Sequence, residues 1–159
     1  LLAVFKMENN SLSRVPSPIA QRGAQGDSMQ GAGVTILVVE DEQLIRDMVA
    51  DALSDGGFEA EVAVSGEDAV SLLQGNQTKY RALVTDINLF GKLDGWQIGH
   101  RARELNPDIS VIYMTGAAAD QWPAHGVPNS ILLTKPFAPA QIVTAVAQLL
   151  NTGAPPAQS

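Results

Sequence analysis

A chain of 159 residues has room for one ordinary domain with tails, enough to bury a real core without disulfides or metal. Its composition, 45% hydrophobic and 17% charged, is that of a soluble globular protein, and no apolar run approaches membrane-spanning length. Zero cysteines exclude thiol redox chemistry and thiolate metal sites. A formal charge of −7 without a Lys/Arg run argues against direct nucleic-acid binding.

Leu1 to Phe5 is apolar but is interrupted at once by Lys6 and has no basic segment before it, so no secretory signal is expected. The expectation is a cytoplasmic protein with no membrane partner. Residues 1–33 are rich in Ser, Pro, Gln and Gly with little periodicity and read as a disordered tail. The folded domain is expected over residues 34–150, followed by a Pro-Ala tail over 151–159.

Val34 to Val39 is β-branched and almost wholly apolar, the pattern of a strand buried on both faces, and it runs into Glu40-Asp41-Glu42. Leu44, Ile45, Met48, Val49, Ala52 and Leu53 then recur at helical spacing until Gly56-Gly57. Phe58 to Val64 predicts a second strand and Ser65 to Gln74 a second helix, with Ser65 and Glu67 suited to its first turn. Tyr80 to Asp86 predicts a third strand, an apolar run ending in an acid. The third helix runs from about Gly95 to Leu105 and stops before Pro107. After a fourth strand at Ser110 to Met114, only a turn or two of helix fits at Ala117 to Gln121 before Pro123, Gly126 and Pro128. Ser130 to Thr134 predicts a fifth strand and Ala138 to Leu150 a last helix.

Strict alternation of strands and helices implies an α/β fold, a five-stranded parallel sheet with about five helices on its two faces, the fourth helix short. Parallel strands put Glu40-Asp41, Asp86, Thr115 and Lys135 on one edge, where ligands bind in open α/β sheets. Two like charges about 4 Å apart repel by roughly 4 kcal/mol at an effective dielectric near 20, so something cationic belongs among these acids. Hard oxygen ligands with no His or Cys nearby in sequence favour Mg²⁺, or Mn²⁺, over zinc. A carboxylate so placed can take a phosphoryl group, with Lys135 and Thr115 meeting its oxygens and Glu40 orienting metal-bound water.

The set Ile36-Leu37-Val38-Val39-Glu40-Asp41-Glu42, Val84-Thr85-Asp86, Asp94-Gly95, Met114-Thr115-Gly116-Ala117 and Thr134-Lys135-Pro136-Phe137 resembles the receiver domain of two-component response regulators. The resemblance implies a flavodoxin-like doubly wound sheet in the order 2-1-3-4-5. It also implies that Asp86 is the phosphoacceptor, that Glu40, Asp41, Asp86 and the Asn88 backbone carbonyl hold the metal, and that Thr115 and Lys135 contact the phosphoryl group. By the same resemblance, Asn88 and Ala117 occupy positions that in the family influence hydrolysis of the acyl phosphate. The implied donor is a phosphohistidine on a sensor histidine kinase or phosphotransfer protein, and the implied output is a conformational change read by a downstream protein that the sequence does not name. With only a short stretch after the last helix, a stand-alone receiver that is not a turnover enzyme is expected.

The sequence departs from that pattern in places. The loop from Ile87 to Leu93 is one residue longer than usual, Phe90 stands where proline is common, and Leu132 replaces a usual aromatic ring. A phosphorylation-independent interaction module is therefore a competing reading. A haloacid-dehalogenase-type phosphatase is another, disfavoured because Asp86 is followed by Ile87 and Asn88 and not by a second acid two residues on. His100, His125, Trp96 and Trp122 are read as packing or surface residues, and Arg81, Arg101 and Arg103 as a solvated face.

Overall fold

The computed structural model describes residues 33–153. The expected N-terminal tail lies outside the described residues except for Gly33. The elements run β1 (Thr35–Val39), α1 (Gln43–Asp55), β2 (Glu59–Ala63), α2 (Gly66–Gly75), β3 (Tyr80–Asp86), α3 (Gly95–Leu105), β4 (Ser110–Thr115), α4 (Trp122–His125), β5 (Ser130–Thr134) and α5 (Pro139–Gly153). All neighbouring strands are parallel, in the order β2-β1-β3-β4-β5. This is the doubly wound, flavodoxin-like sheet expected from the sequence.

The side-chain alternation of each strand divides the core into two layers. Ile36, Val38, Ala82, Val84, Ile112 and Met114 face α1 and α5, and meet Val49, Leu53, Ile142 and Val146. Leu37, Val39, Leu83, Val111 and Tyr113 face α2 and α3, and meet Leu73, Trp96, Ile98 and Ala102. A strand covered on both faces has no polar side, which is why β1 reads as one continuous apolar run. Each large side chain so buried contributes about 2 kcal/mol, and together they hold the strand ends in a common plane.

Three expectations need correction. Pro123 does not stop a helix at Ala117 to Gln121: a 3-10 turn spans Ala119–Gln121, and Pro123 lies in the first turn of α4. There its missing N–H costs nothing, because first-turn amides have no intrahelical acceptor. The last helix runs to Gly153, three residues past the expected boundary at residue 150. Leu44, expected on the inner face of α1, is 79% exposed at the helix start, ahead of the turns that pack on the sheet.

Candidate functional site at the carboxyl edge of the sheet

The apolar run of β1 ends at Val39, and the next residue, Glu40, is fully buried, with the neighbouring Asp41 half-buried. Three contacts fix this turn. Glu40 Oε2 accepts the Glu42 N–H at 3.1 Å, its backbone carbonyl accepts Arg46 Nη1 at 3.1 Å, and its own N–H reaches the Ala63 carbonyl of β2. Asp86 closes β3 beside it, 6% exposed, with Oδ1 accepting the Ile87 N–H at 2.9 Å. Carboxylate oxygens of Glu40, Asp41 and Asp86 lie within 4.8 Å of one another.

Lys135, the first residue past β5, reaches across the edge. Its Nζ stands 3.2 Å from Glu40 Oε1 and 3.2 Å from Asp86 Oδ1. The lysine ammonium is thus a cation between two of the acids. Burial pushes the Glu40 carboxyl up to about 7, with the Asp86 charge adding to it and the Glu42 N–H and Lys135 opposing. Asp86 is likewise raised, by burial first and by Asp41, against Lys135 and the Ile87 N–H. For Lys135, burial favours the neutral amine, but the carboxylates of Asp86 and Glu40 outweigh it and leave the ammonium raised above its ordinary value.

Thr115 closes β4, fully buried, and its hydroxyl oxygen accepts the N–H groups of Ala117 at 3.2 Å and Ala118 at 2.8 Å. Its own proton is left to donate. Asn88 is exposed in the bend after β3, and Ala117 is exposed in the bend after β4. The strand ends therefore bring Glu40, Asp41, Asp86, Thr115 and Lys135 to one edge, with Asn88 and Ala117 on the loops that rim it.

Other parts of the site carry weaker sequence signals. Asp94 caps α3 with a reciprocal capping box to Gln97, and a Cβ at Gly95 would overlap the Asp86 carbonyl oxygen and stand 2.7 Å from the Ile87 Cα. The Asp94-Gly95 pair thus lets α3 start hard against the end of β3. Phe90, 79% exposed, donates its N–H to Asp41 Oδ2 at 2.9 Å, a contact no spacing rule reveals.

The residues assigned to packing divide. Trp96 is buried with its ring 4.7 Å from Tyr113, and Trp122 is half-buried, donating Nε1–H to Ser130 Oγ at 2.9 Å. His100 Nε2 lies 2.8 Å from the His125 carbonyl oxygen, which ties α3 to α4. Arg81 is exposed and Arg101 pairs with Glu104, as a solvated face requires. Arg103 does not fit that description: it is half-buried, and its guanidinium donates to the carbonyls of Ile109 at 2.7 Å, Pro128 at 2.6 Å and Asn129 at 3.4 Å. Leu132 packs half-buried against the Tyr113 layer, where a ring was expected to be missing. Among the described residues no helix is long and apolar enough to cross a membrane.

Three oxygen-bearing carboxylates at this spacing, with burial penalising their mutual charge, suit a small hard divalent cation such as Mg²⁺ or Mn²⁺. The family model for the response regulator receiver domain matches residues 36–147. The chain is 30% identical over 117 residues to the response regulator receiver protein CpdR of Brucella abortus, covering 72% of this chain and 95% of CpdR. It is also 30% identical over 120 residues to the sensor kinase CckA of the same organism, of which it spans 12%. Among solved structures, a response regulator receiver protein from Sinorhizobium medicae superposes with a TM-score of 0.73 at 40% identity, covering 76% of this chain and 97% of that one. The receiver domain of NtrX from Brucella abortus gives 0.65 at 30% identity, covering 74% and 98%. The acids at the strand ends, the sheet order that gathers them and a family match across most of the described residues agree, and the chain belongs to the response regulator receiver family of two-component systems.

Proposed function

We propose that this receiver takes a phosphoryl group onto Asp86 from a phosphohistidine donor and signals through the change that follows. The observation that carries the reading is the cluster of Glu40, Asp41 and Asp86 within 4.8 Å, with Lys135 bonded to two of its members. An Asp86 oxygen forms the new P–O bond as the donor P–N bond breaks, and the departing imidazole keeps the electron pair. Carboxylates of Asp41 and Asp86, Glu40 and the Asn88 backbone carbonyl would hold Mg²⁺, with Mn²⁺ able to replace it. The cation supplies charge that neutralises the incoming phosphate.

Lys135 is already bonded to Asp86 and has only to turn toward a phosphoryl oxygen on the same side chain. The Thr115 hydroxyl donates to another, and a turn of its oxygen away from the Ala117 and Ala118 N–H groups would loosen the bend that leads into α4. That local release, without a ring at Leu132 to relay it, is what a partner protein would detect. Asn88 and Ala117, exposed beside the cluster, would set the access of hydrolytic water to the acyl phosphate. The donor is a sensor histidine kinase or a phosphotransfer protein, a class supported by the likeness to part of a protein named as a sensor kinase. No turnover of an external phosphoester is part of the reading, and the protein works in the cytoplasm where such kinases present their phosphohistidine.

Intact-protein mass after incubation with acetyl phosphate and Mg²⁺ tests it. A single labile phosphoryl adduct, absent with EDTA and absent in Asp86→Asn, is expected. An adduct that persists in Asp86→Asn would place the chemistry elsewhere, and no adduct from either acetyl phosphate or a phosphorylated kinase would favour a phosphorylation-independent interaction module.

A further inference from the structure

The loop joining β3 to α3 is pinned at two points by carboxylates from two other elements. Phe90 N–H donates to Asp41 Oδ2 at 2.9 Å, and two residues later Lys92 N–H donates to Glu67 Oε2 at 2.8 Å. Between them Gly91 has φ 104°, in the left-handed region, and a Cβ there would stand 2.7 Å from Glu67 Oε1. The Glu67 carboxylate therefore lies against the turn itself, and the turn needs glycine both for its dihedral and for this approach.

The two contacts do different things. The Phe90 N–H holds one oxygen of Asp41 and so fixes the orientation of that carboxylate, which has an oxygen within 4.8 Å of carboxylate oxygens of Glu40 and Asp86. The Lys92 N–H fixes the segment that carries Phe90. Glu67 sits outside the acid cluster, on the first turn of α2, where an acid is already favoured by the helix dipole. A dipole role needs no contact with residues 25 positions away, and the Lys92 contact is such a contact.

We propose that Glu67 is a positioning residue for the cation site: through Lys92 and Phe90 it sets the orientation of Asp41. The inference rests on the reading of Asp41 as a cation ligand. Partners that orient ligands from outside commonly change metal affinity by an order of magnitude or more on removal.

The test is Mn²⁺ binding to the full chain, followed by the electron paramagnetic resonance signal of free Mn²⁺ with no phosphodonor present, together with amide exchange at Phe90. Glu67→Ala weakens Mn²⁺ about tenfold and exposes the Phe90 amide to exchange. Glu67→Gln, which keeps an acceptor oxygen for Lys92, stays close to wild type in both. Asp68→Asn removes a charge from the same helical turn without touching the loop and also stays close to wild type. Unchanged Mn²⁺ affinity in Glu67→Ala, or an equal loss in Asp68→Asn, overturns the positioning role while leaving the receiver chemistry intact. Wild-type protein that binds no Mn²⁺ overturns both the cation site and this inference.

Discussion

Around Tyr113 every group has met its complement. The ring lies against Trp96, the hydroxyl accepts the Val127 N–H at 3.1 Å, and Gly99 of α3 leaves the room that the hydroxyl fills. Two residues further along the same strand the chain reaches Thr115 and the acid cluster, where the groups oppose one another: two buried carboxylates share one lysine, and burial raises both. The α3–β4 contact is where packing stabilises the fold, and the sheet edge is where stability is given up for the site that we propose a cation and a phosphoryl group complete. The lesson is local: one strand serves both ends because its sheet register is fixed by the first.

Breaking the packed region has the largest expected effect. A Cβ at Gly99 overlaps the Tyr113 hydroxyl, so Gly99→Ala should cost about 3 kcal/mol through overpacking and a displaced hydrogen bond. Urea unfolding measures it; a loss near zero would mean that α3 moves freely on β4.

The edge responds with the opposite sign. Because burial raises the Glu40 carboxyl from 4.5 to about 7, the folded protein between those values keeps a proton that the unfolded chain has released. Metal-free stability therefore falls as pH rises through that window and levels above it. Glu40→Gln removes the Glu40 share of the slope, leaving that of Asp86, and makes the protein more stable at about pH 8, with a ceiling near 3 kcal/mol set by the Glu40 shift. Thermal melts across pH without divalent cations check this, and a wild-type curve flat between those values would contradict it.

Removing the shared cation sharpens the contrast. Lys135→Met leaves Glu40 and Asp86 facing each other without a counter-charge and should cost about 2 kcal/mol at neutral pH, less than a fully buried pair because Lys135 is partly exposed. Added to Glu40→Gln, the same substitution should cost much less. Additive losses in that double-mutant cycle would show that the lysine does not act on Glu40.

Much of this was legible in the amino-acid sequence for a physical reason. The central strands, buried on both faces, are largely apolar, so each apolar run ends visibly at polar residues, and parallel pairing carries Glu40, Asp86, Thr115 and Lys135 to one edge. What stayed hidden depends on partners distant in the chain. Arg103 looks like any helix-surface arginine until the carbonyls of Pro128 and Asn129, in an irregular turn, come to lie over it. Glu67 looks like a first-turn helix acid until Lys92 meets it. Pro123 misleads because proline breaks a helix interior yet opens a helix just as well, and local sequence does not say which end it occupies.

Borohydride reduction of the protein after exposure to acetyl phosphate and Mg²⁺ tests the central claim most directly, since it converts an aspartyl phosphate to homoserine that peptide mass mapping locates. The account predicts homoserine at position 86, dependent on the divalent cation. Homoserine at position 41, or an adduct that leaves Asp86 unmodified, would contradict it.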